Sequence, residues 1–162
     1  MSPQYVVHRG GAALWPENSL LAFRNAIALG SRMLECDVHG TADGGVAVIH
    51  DASLDRTTDA RGPVGDRTVA ELRGVRLRGP DGRLTDEWVP TLDEALALAA
   101  PAGITFLVEI KSPGVPVSYE RRGAGFRVVP GPRYAGLEQR VDRKSTRLNS
   151  SHRSLSRMPS SA

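Results

Sequence analysis

The sequence predicts an α/β fold in which short strands alternate with helices around a parallel sheet. From about residue 5 to residue 111, short apolar runs alternate with segments of helical periodicity. Each predicted helix has a capping or terminating residue near one of its expected ends. Strands that alternate with helices favour βα units, because parallel strands need a crossover connection. A chain of 162 residues is long enough for one such domain.

The first βα unit is predicted at residues 5–30. The aromatic and β-branched residues 5–7 predict a short buried strand. Asn18 is expected to cap the following helix, in which apolar residues recur at helical spacing over residues 20–27. Gly30 comes directly after this pattern and is expected to end the helix, as glycine commonly does.

Two further strands are predicted at residues 33–38 and 46–50, joined by an Asp-Gly turn at residues 43–44. Residues 51–90 are rich in Gly, Asp, Arg and Thr and show little periodicity. We interpret them as a loop-rich excursion from the main fold. Within this excursion, a capping box that starts at Thr68 predicts one short helix.

The next βα segment begins with a second capping box, from Thr91 to Glu94, which predicts a helix that Pro101 ends. Residues 104–110 form an apolar run that predicts a strand buried on both faces. Beyond this strand the periodicity weakens, and residues 134–141 predict only the beginning of another helix.

The composition excludes several classes of protein. Charged residues make up 24% and hydrophobic residues 40%, which is typical of a globular domain and not of a disordered or fibrous chain. The single cysteine, Cys36, excludes an internal disulfide and a cysteine-rich zinc site, and we expect it to be a small buried hydrophobe. With no apolar run of membrane-spanning length and no signal-peptide pattern, the expected location is cytoplasmic, without a membrane span.

Basic charge is concentrated near the C-terminus. The whole chain has a net charge of +3, but residues 143–162 hold five basic residues and no acidic ones. The remaining residues therefore carry a net charge of −2 and predict no basic surface for nucleic acid. No aromatic residue lies beyond Tyr134, so the tail lacks stacking platforms for bases. We expect no nucleic-acid partner, and the sequence predicts no particular oligomeric state.

Two pairs of charged residues stand two positions apart in predicted strands, where their side chains face the same side. Glu35 and Asp37 would project together, which is costly without a cation or donors between them. Carboxylate ligands suit Mg²⁺ or Ca²⁺ better than zinc, although this pattern alone fits a pair of surface carboxylates equally well. Glu109 and Lys111 repeat the spacing at the C-terminal end of a strand, where catalytic groups lie in parallel α/β folds; the alternative is an ion pair at a strand end.

Two histidines follow predicted strands at the same end. His8 comes after the first strand and His50 ends the third, positions that suit a general acid and a general base near neutral pH. Arg9 could hold a phosphate oxygen with its planar guanidinium, although a solvated loop charge is the alternative. His39 is expected in a loop and His152 in the tail, and neither is assigned a role.

Together these groups suit the metal-assisted cleavage of a phosphodiester. A cation would take the anionic oxygens while the imidazoles move protons. The motifs occur along the chain in the order His8-Arg9-Gly10-Gly11, Pro16-Glu17-Asn18-Ser19, Glu35-Cys36-Asp37-Val38, Asp43-Gly44, His50-Asp51, Leu54-Asp55-Arg56-Thr57-Thr58, Pro90-Thr91-Leu92 and Glu109-Ile110-Lys111. This ordered set resembles the glycerophosphodiester phosphodiesterase family over about residues 5–111.

The resemblance implies a (β/α)₈ TIM barrel of the phosphodiesterase type, with an inserted segment that falls at residues 51–90. Only about the first three βα units of such a barrel are visible in the sequence, since a complete barrel needs about 250 residues. The resemblance also implies a divalent cation, Mg²⁺ or Ca²⁺. Its implied ligands are Glu35, Asp37 and Glu109. Glu17 and Asn18 are expected to shape the site.

The resemblance further implies a reaction. His8 and His50 would be the acid–base pair, and Arg9 and Lys111 would bind the substrate phosphate. In this family the neighbouring glycerol hydroxyl attacks phosphorus, and water then opens the cyclic phosphate. The implied substrate is a small glycerophosphodiester, and the products are sn-glycerol 3-phosphate and an alcohol such as choline or ethanolamine.

The resemblance sets the expected domain boundaries. Residues 1–142 are expected to form a partial catalytic domain, and residues 143–162 a non-native or disordered, basic, serine-rich tail. From residue 144 the tail resembles a translated sequencing adapter. Two alternatives to the hydrolase are a non-catalytic, truncated or phosphoester-binding chain and a lysophospholipase D-type enzyme of the same fold. The mostly polar residues of the excursion favour a water-soluble substrate over a lipid.

Overall fold

The computed structural model describes residues 5–111, 118–122 and 125–129, together with Leu137, Arg140 and Val141. The expected tail and most of the helix expected at residues 134–141 lie outside the described residues. None of the described helices is long and apolar enough to cross a membrane. The strands are β1 (Val6–Val7), β2 (Met33–Gly40), β3 (Val46–Val48), β4 (Arg76–Arg78), β5 (Leu84–Trp88), β6 (Thr105–Ile110), β7 (Ser118–Arg122) and β8 (Gly125–Val129). The α-helices are α1 (Leu20–Ala28), α2 (Val69–Leu72) and α3 (Leu92–Ala99), and 3₁₀ turns span His8–Gly10, Val64–Asp66 and Ala100–Ala102.

The main sheet is organised around β2. Strands β1 and β6 pair with it in parallel, with α1 connecting β1 to β2 and α3 preceding β6. The predicted βα units and parallel sheet are therefore confirmed for these three strands. The predicted turn at Asp43-Gly44 is confirmed, because strand β3 turns back there and pairs antiparallel with the end of β2. Strand β3 ends at Val48, two residues before the predicted end at His50. This hairpin extends β2 beyond the predicted residue 38, to Gly40.

Helix α1 begins one residue later than the sequence predicts. Ser19 is its N-cap, with the Ser19 hydroxyl accepting a hydrogen bond from the Ala22 N–H at 3.0 Å. Asn18, the expected cap, has a left-handed backbone (φ 58°) and directs its amide elsewhere. Gly30 follows the helix with φ 88°, as predicted.

The core lies between β2 and the helices α1 and α3. Its fully buried members include Phe23, Leu34, Cys36, Val38 and Leu92. The expected burial of the Cys36 thiol is confirmed, and that burial raises its pKa well above the ordinary value. Since β2 contributes its apolar side chains to this core, its alternate residues point to the opposite face of the sheet.

The excursion at residues 51–90 has more structure than the sequence predicts. The short helix at the Thr68 capping box is confirmed as α2. Strands β4 and β5 form an antiparallel hairpin that was not predicted. A second apolar cluster packs beneath these elements, and it includes Leu54, Val64, Leu72, Leu77 and Val89 together with Ala47 and Ile49 from beside the main sheet.

Two strands are less buried than predicted. Tyr5 and Val6 are 76% and 40% exposed, and β6 alternates exposed and half-buried residues instead of being buried on both faces. Both outcomes have the same cause: within the described residues, β1 and β6 pair with β2 alone. Each is therefore an edge strand, with one side open.

The capping box at the start of α3 provides a test of how this helix is stabilised. Thr91 accepts from the Glu94 N–H at 3.2 Å, while the Glu94 carboxylate accepts from the Thr91 N–H at 2.8 Å. We expect Thr91→Ala to lower the free energy of unfolding by about 1 kcal/mol, because backbone donors at the helix start lose their partner. Urea unfolding followed by circular dichroism measures the effect. Thr91→Ser keeps the hydroxyl and should stay close to the parent; equal losses in both variants would contradict the capping role.

Candidate active site

Three carboxylates converge on the two neighbouring parallel strands β2 and β6. Glu35 and Asp37 project from β2, and Glu109 lies on β6, in register with Asp37. One carboxylate oxygen from each residue lies within 4.8 Å of the other two. The Asp37 side chain is fully buried, that of Glu35 is 13% exposed and that of Glu109 is 56% exposed. The structure thus brings together all three predicted metal ligands.

This donor set fits a hard divalent cation. Glu35 Oε1 is buried and has no hydrogen-bond partner among the described residues, so one carboxylate oxygen remains available to a ligand. Burial raises the pKa of Glu35, and the nearby charge of Asp37 adds to this effect, while the hydrogen bond from the Arg9 N–H opposes it. A cation bound at this oxygen would stabilise the ionised form of Glu35 by neutralising the negative charge of the cluster.

Lys111 lies against the same cluster. Its Nζ is 3.0 Å from Asp37 Oδ1 and 2.6 Å from Glu109 Oε1. Burial alone would lower the pKa of Lys111, but its contacts with the two carboxylates outweigh burial and raise the pKa. Lys111 therefore supplies positive charge directly to the acidic centre, at the position where the sequence predicts a phosphate-binding cation.

Asn18 holds Asp37 instead of capping α1. The Asn18 amide Nδ2 donates to Asp37 Oδ2 at 2.9 Å, and the Asp37 backbone N–H donates to Asn18 Oδ1 at 3.3 Å. Burial would raise the pKa of Asp37, but hydrogen bonds from Asn18 and Lys111 hold it below the ordinary value. The predicted contribution of Asn18 to the site is therefore seen as a direct contact with a candidate ligand.

The turn after β1 positions Arg9. Arg9, Gly10 and Gly11 all have positive φ angles, of 51°, 74° and 103°. This backbone directs the Arg9 N–H to Glu35 Oε2 at 2.9 Å, while its guanidinium Nε lies 3.2 Å from Asp37 Oδ2. Gly10 is required by space as well as by φ, because a Cβ there would lie 2.8 Å from the Cβ of Ala22 on α1.

The two candidate acid–base histidines differ in their surroundings. His8 is 66% exposed, and its Nε2 lies 3.9 Å from Glu35 Oε2. His50 is 30% exposed, with its Nδ1 2.7 Å from Asp51 Oδ1. The backbone N–H of Ile49, the residue before His50, donates to the Asp37 carbonyl oxygen at 2.9 Å. The contact with Asp51 favours a proton on Nδ1 and leaves Nε2 for a substrate.

A chain of ion pairs supports His50 and was not predicted. Arg56 donates to both oxygens of Asp51, at 2.7 and 3.0 Å, and to both oxygens of Glu17, at 3.0 and 2.8 Å. Glu17 in turn contacts Arg9 at 3.3 Å. The hydrogen bonds from Arg56 hold the pKa of Asp51 well below its usual range, and His50 adds to this effect. The only sequence signal for Arg56 is its place in the quoted family motif.

His39 was expected in a loop, and this expectation is wrong. It lies in β2 and is 2% exposed, with its Nε2 2.9 Å from the backbone carbonyl oxygen of His50. Burial lowers the pKa of His39, which favours the neutral imidazole. The extension of β2 by its hairpin with β3 explains the error, since that hairpin brings the end of β2 beside residue 50.

Residues 8–129 match the Glycerophosphoryl diester phosphodiesterase family. The glycerophosphodiester phosphodiesterase of Caldanaerobacter subterraneus is 37% identical over 113 residues, covering 69% of this chain and 46% of that protein. Human glycerophosphodiester phosphodiesterase 1 is 37% identical over 112 residues, covering 65% of this chain and 33% of the human protein. The chain therefore spans about half or less of the length of the curated relatives it matches.

Solved structures show the same relationship. A glycerophosphodiester phosphodiesterase from Agrobacterium tumefaciens superposes with a TM-score of 0.64 at 35% identity, covering 69% of this chain and 48% of that one. An Oleispira antarctica phosphodiesterase, solved in complex with the product sn-glycerol-3-phosphate, superposes with a TM-score of 0.66 at 28% identity. The match covers 93% of this chain and 53% of that one. The predicted TIM-barrel class is confirmed, and the described chain corresponds to about half of such a barrel.

The contact between Asn18 and Asp37 predicts a pH-dependent stability. In Asn18→Gly the backbone keeps its left-handed conformation but the amide is lost, so we expect a destabilisation of about 1–3 kcal/mol at pH 7. Because the Asp37 pKa is lowered in the folded state, its contribution is present above the ordinary pKa of 3.8 and disappears as the pH falls through the folded-state value. The difference between parent and variant should therefore shrink on acidification.

Urea unfolding of both proteins at a series of pH values measures this difference. Asn25→Gly, in the middle of α1, serves as the control, because it costs helix propensity without touching a titrating group. Its destabilisation should be constant with pH. A loss in Asn18→Gly that is equally independent of pH would contradict the assigned contact.

Proposed function

We propose that this chain, which belongs to the glycerophosphoryl diester phosphodiesterase family, carries the reaction centre of a metal-dependent enzyme that hydrolyses glycerophosphodiesters to sn-glycerol 3-phosphate and an alcohol. The observation that carries the proposal is the convergence of Glu35, Asp37 and Glu109 within 4.8 Å, beside the Arg9 and Lys111 cations and the His8 imidazole. The product complex of the Oleispira antarctica relative supports the same substrate class. In the proposed organisation, residues 51–90 are the inserted segment, and residues 143–162 lie outside the catalytic part.

Glu35, Asp37 and Glu109 would hold the divalent cation, Mg²⁺ or Ca²⁺. When bound, such a cation polarises the phosphoryl group and neutralises charge that develops on its oxygens. Asn18 and the Arg9 backbone N–H orient two of the ligands through hydrogen bonds of 2.9 Å. Outer contacts of this kind fix the direction of ligand oxygens and keep the buried carboxylates ionised.

Arg9 and Lys111 would bind the phosphate oxygens of the substrate. Both cations already contact Asp37, at 3.2 and 3.0 Å, so their charge is concentrated at the acidic centre. A phosphodiester carries one negative charge and would compete with the carboxylates for these two donors. The planar guanidinium of Arg9 can give two hydrogen bonds to one phosphate, whereas Lys111 acts as a point charge.

His8 and His50 would move the protons. One imidazole accepts the proton of the attacking glycerol hydroxyl as the oxygen–phosphorus bond forms, and the other donates a proton to the alkoxide of the departing alcohol. The same two groups then exchange roles when water opens the cyclic phosphate. The Asp51 carboxylate, 2.7 Å from His50 Nδ1, fixes the orientation of the imidazole and leaves Nε2 for the reacting groups.

A phosphoester-binding chain without turnover is the second candidate. The observation in its favour is that the two cations proposed to bind phosphate, Arg9 and Lys111, lie at the acidic centre whether or not the ester is cleaved. A third candidate, the lysophospholipase D-type enzyme, would need an apolar mouth beside the site. One cavity beside the Arg9–Glu17 ion pair is lined by charged and polar side chains, including Glu17, Arg56 and Arg78, which favours a water-soluble diester.

Metal binding can be measured directly by calorimetric titration of the chelator-treated chain with Ca²⁺ or Mg²⁺. We expect one site, and we expect Glu35→Gln or Glu109→Gln to weaken it by about tenfold or more, since each removes one ligand charge. Glu109 is half exposed, so its variant should not disturb folding. Asp81→Asn, on the exposed β4–β5 turn, should bind like the parent. Unchanged affinity in both glutamate variants would refute the assigned ligands.

Hydrolysis of glycerophosphocholine, followed by release of choline, tests the reaction itself. We expect turnover that stops with EDTA and returns with Mg²⁺ or Ca²⁺, and a loss of about 10²–10⁴-fold in His50→Ala, because a proton-transfer group is removed. His152→Ala removes an imidazole beyond the family match and should leave the rate unchanged. Absence of turnover in the parent, combined with binding of glycerol 3-phosphate, would favour the non-catalytic candidate.

A further inference from the structure

His39 has no part in the reaction proposed above, yet it lies on the same face of β2 as two candidate metal ligands. Successive residues of a strand point to opposite faces, so His39 shares its face with Glu35 and Asp37, while Cys36 and Val38 point into the core. His39 is 2% exposed. A buried imidazole on the face that carries the acidic cluster calls for a physical reason.

The His39 imidazole holds the backbone of His50. Its Nε2 lies 2.9 Å from the His50 carbonyl oxygen, eleven residues along the chain. Because a carbonyl oxygen only accepts hydrogen bonds, Nε2 is the nitrogen that carries the proton and donates it. The contact therefore connects the extended end of β2 to the segment that follows β3.

His50 lies just beyond the sheet, where strand pairing no longer fixes the chain. Strand β3 ends two residues earlier, and the Ile49 N–H still donates to the Asp37 carbonyl oxygen at 2.9 Å. At the next residue two side chains take over this task. His39 holds the His50 carbonyl, and Asp51 contacts the His50 ring at Nδ1, at 2.7 Å. Asp51 thus sets the direction of the ring, whereas His39 fixes the peptide from which the ring projects.

The second ring nitrogen of His39 shows that this contact is kept at a cost in stability. Nδ1 is buried and has no hydrogen-bond partner among the described residues. An unsatisfied buried acceptor is destabilising, and an apolar side chain of similar size would avoid that cost. The hydrogen bond from Nε2 is what an apolar side chain could not supply, and it acts on His50.

We propose that His39 is a positioning residue for the candidate acid–base residue His50, and that it fixes His50 relative to the metal ligands on β2. The inference rests on the proposed function for the role of His50 in proton transfer. Proton transfer requires groups within hydrogen-bonding distance of each other, and a displacement of about 1 Å can cost about 10²-fold in rate. Loss of the contact should therefore slow the chemical step more than it weakens substrate binding.

The tautomers of the two imidazoles test the contact without requiring turnover. At a pH of about 8.5, above the ordinary pKa of histidine, we expect long-range proton–nitrogen NMR spectra to show His39 protonated at Nε2 and His50 protonated at Nδ1. Loss of a signal in His39→Gln and in His50→Ala assigns the two rings. In His39→Leu the His50 signals should shift or broaden, because its peptide is no longer held. A proton on Nδ1 of His39, or unchanged His50 signals in His39→Leu, would overturn the proposal.

Two substitutions of His39 test its effect on the reaction. His39→Leu keeps the approximate size of the side chain but cannot donate, so we expect kcat for glycerophosphocholine to fall by about 10–100-fold while KM changes by less than about threefold. His39→Gln can donate from its amide nitrogen and should keep kcat within about threefold of the parent. Equal losses in the two variants, or no loss in either, would count decisively against the hydrogen bond as the cause.

A double-mutant cycle separates positioning from a general effect on the fold. If His39 acts through the His50 imidazole, His39→Leu should cost less than about threefold in a His50→Ala background, although the backbone carbonyl at position 50 is still present. A loss as large as in the parent background would assign His39 to the fold alone and overturn the proposal. Thr85→Val is the matched control, because it removes a hydroxyl that donates to the Leu77 carbonyl at 2.9 Å in the β4–β5 hairpin, and it should leave kcat unchanged.

Calorimetric titration with Mg²⁺ or Ca²⁺ locates the effect. The affinity of His39→Leu should stay within about twofold of the parent, because Asp37 keeps its contacts with Asn18 and Lys111. A loss of cation binding in this variant would place the effect at the ligands and overturn the role assigned through His50. A parent chain that hydrolyses no diester would contradict the proposed function, whereas the tautomer spectra would still decide whether His39 holds His50, so the two failures give different results.

Discussion

Mutual repulsion among three carboxylates is the constraint on which the arrangement of the site depends. Glu35, Asp37 and Glu109 are held within 4.8 Å of one another, and two of them are largely buried. Like charges at this separation in a partly desolvated site raise one another's pKa unless donors or cations compensate. The structure surrounds the cluster with such groups, and each comes from a different segment: the Arg9 N–H and guanidinium, the Asn18 amide and the Lys111 ammonium. The first turn, the start of α1 and the end of β6 are therefore linked through one electrostatic requirement.

The same requirement connects the site to the hydrophobic core. The turn that presents Arg9 to the carboxylates has three consecutive residues with positive φ, and its Gly10 packs directly on Ala22 and Phe23. Phe23 is fully buried and also makes an edge-to-face contact with Phe106 of β6, with ring centroids 5.0 Å apart. The packing that holds α1 against the sheet thus also fixes the position of the turn. A side chain at position 10 would move the Arg9 backbone away from Glu35 before it disturbed any charge.

The three acidic ligands were implied by the family resemblance, and strand geometry predicted one part of their arrangement. Residues two apart on a strand share a face, so Glu35 and Asp37 had to project together once β2 was identified. The errors arose where side-chain direction depends on distant segments. Asn18 is a residue type that commonly caps helices, but its side-chain amide hydrogen-bonds to Asp37, nineteen residues away. His39 was assigned to a loop because the pairing that extends β2 is set by the following hairpin. Strand β6 was expected to be buried on both faces, yet among the described residues it pairs on one side only.

Arg56 shows why the excursion is part of the site. Its guanidinium bridges Asp51, which holds His50, and Glu17, which holds Arg9. Opposite charges therefore alternate along a chain that runs from one candidate proton-transfer group to a candidate phosphate-binding group. Each carboxylate in it is stabilised by arginine, so the His50 imidazole meets an Asp51 that stays ionised across the pH range in which histidine titrates. The apolar cluster that includes Leu54 anchors the loop from which Arg56 projects, and the Arg56 guanidinium makes four hydrogen bonds of 2.7–3.0 Å. The core of the excursion is thus a structural condition for the orientation of His50.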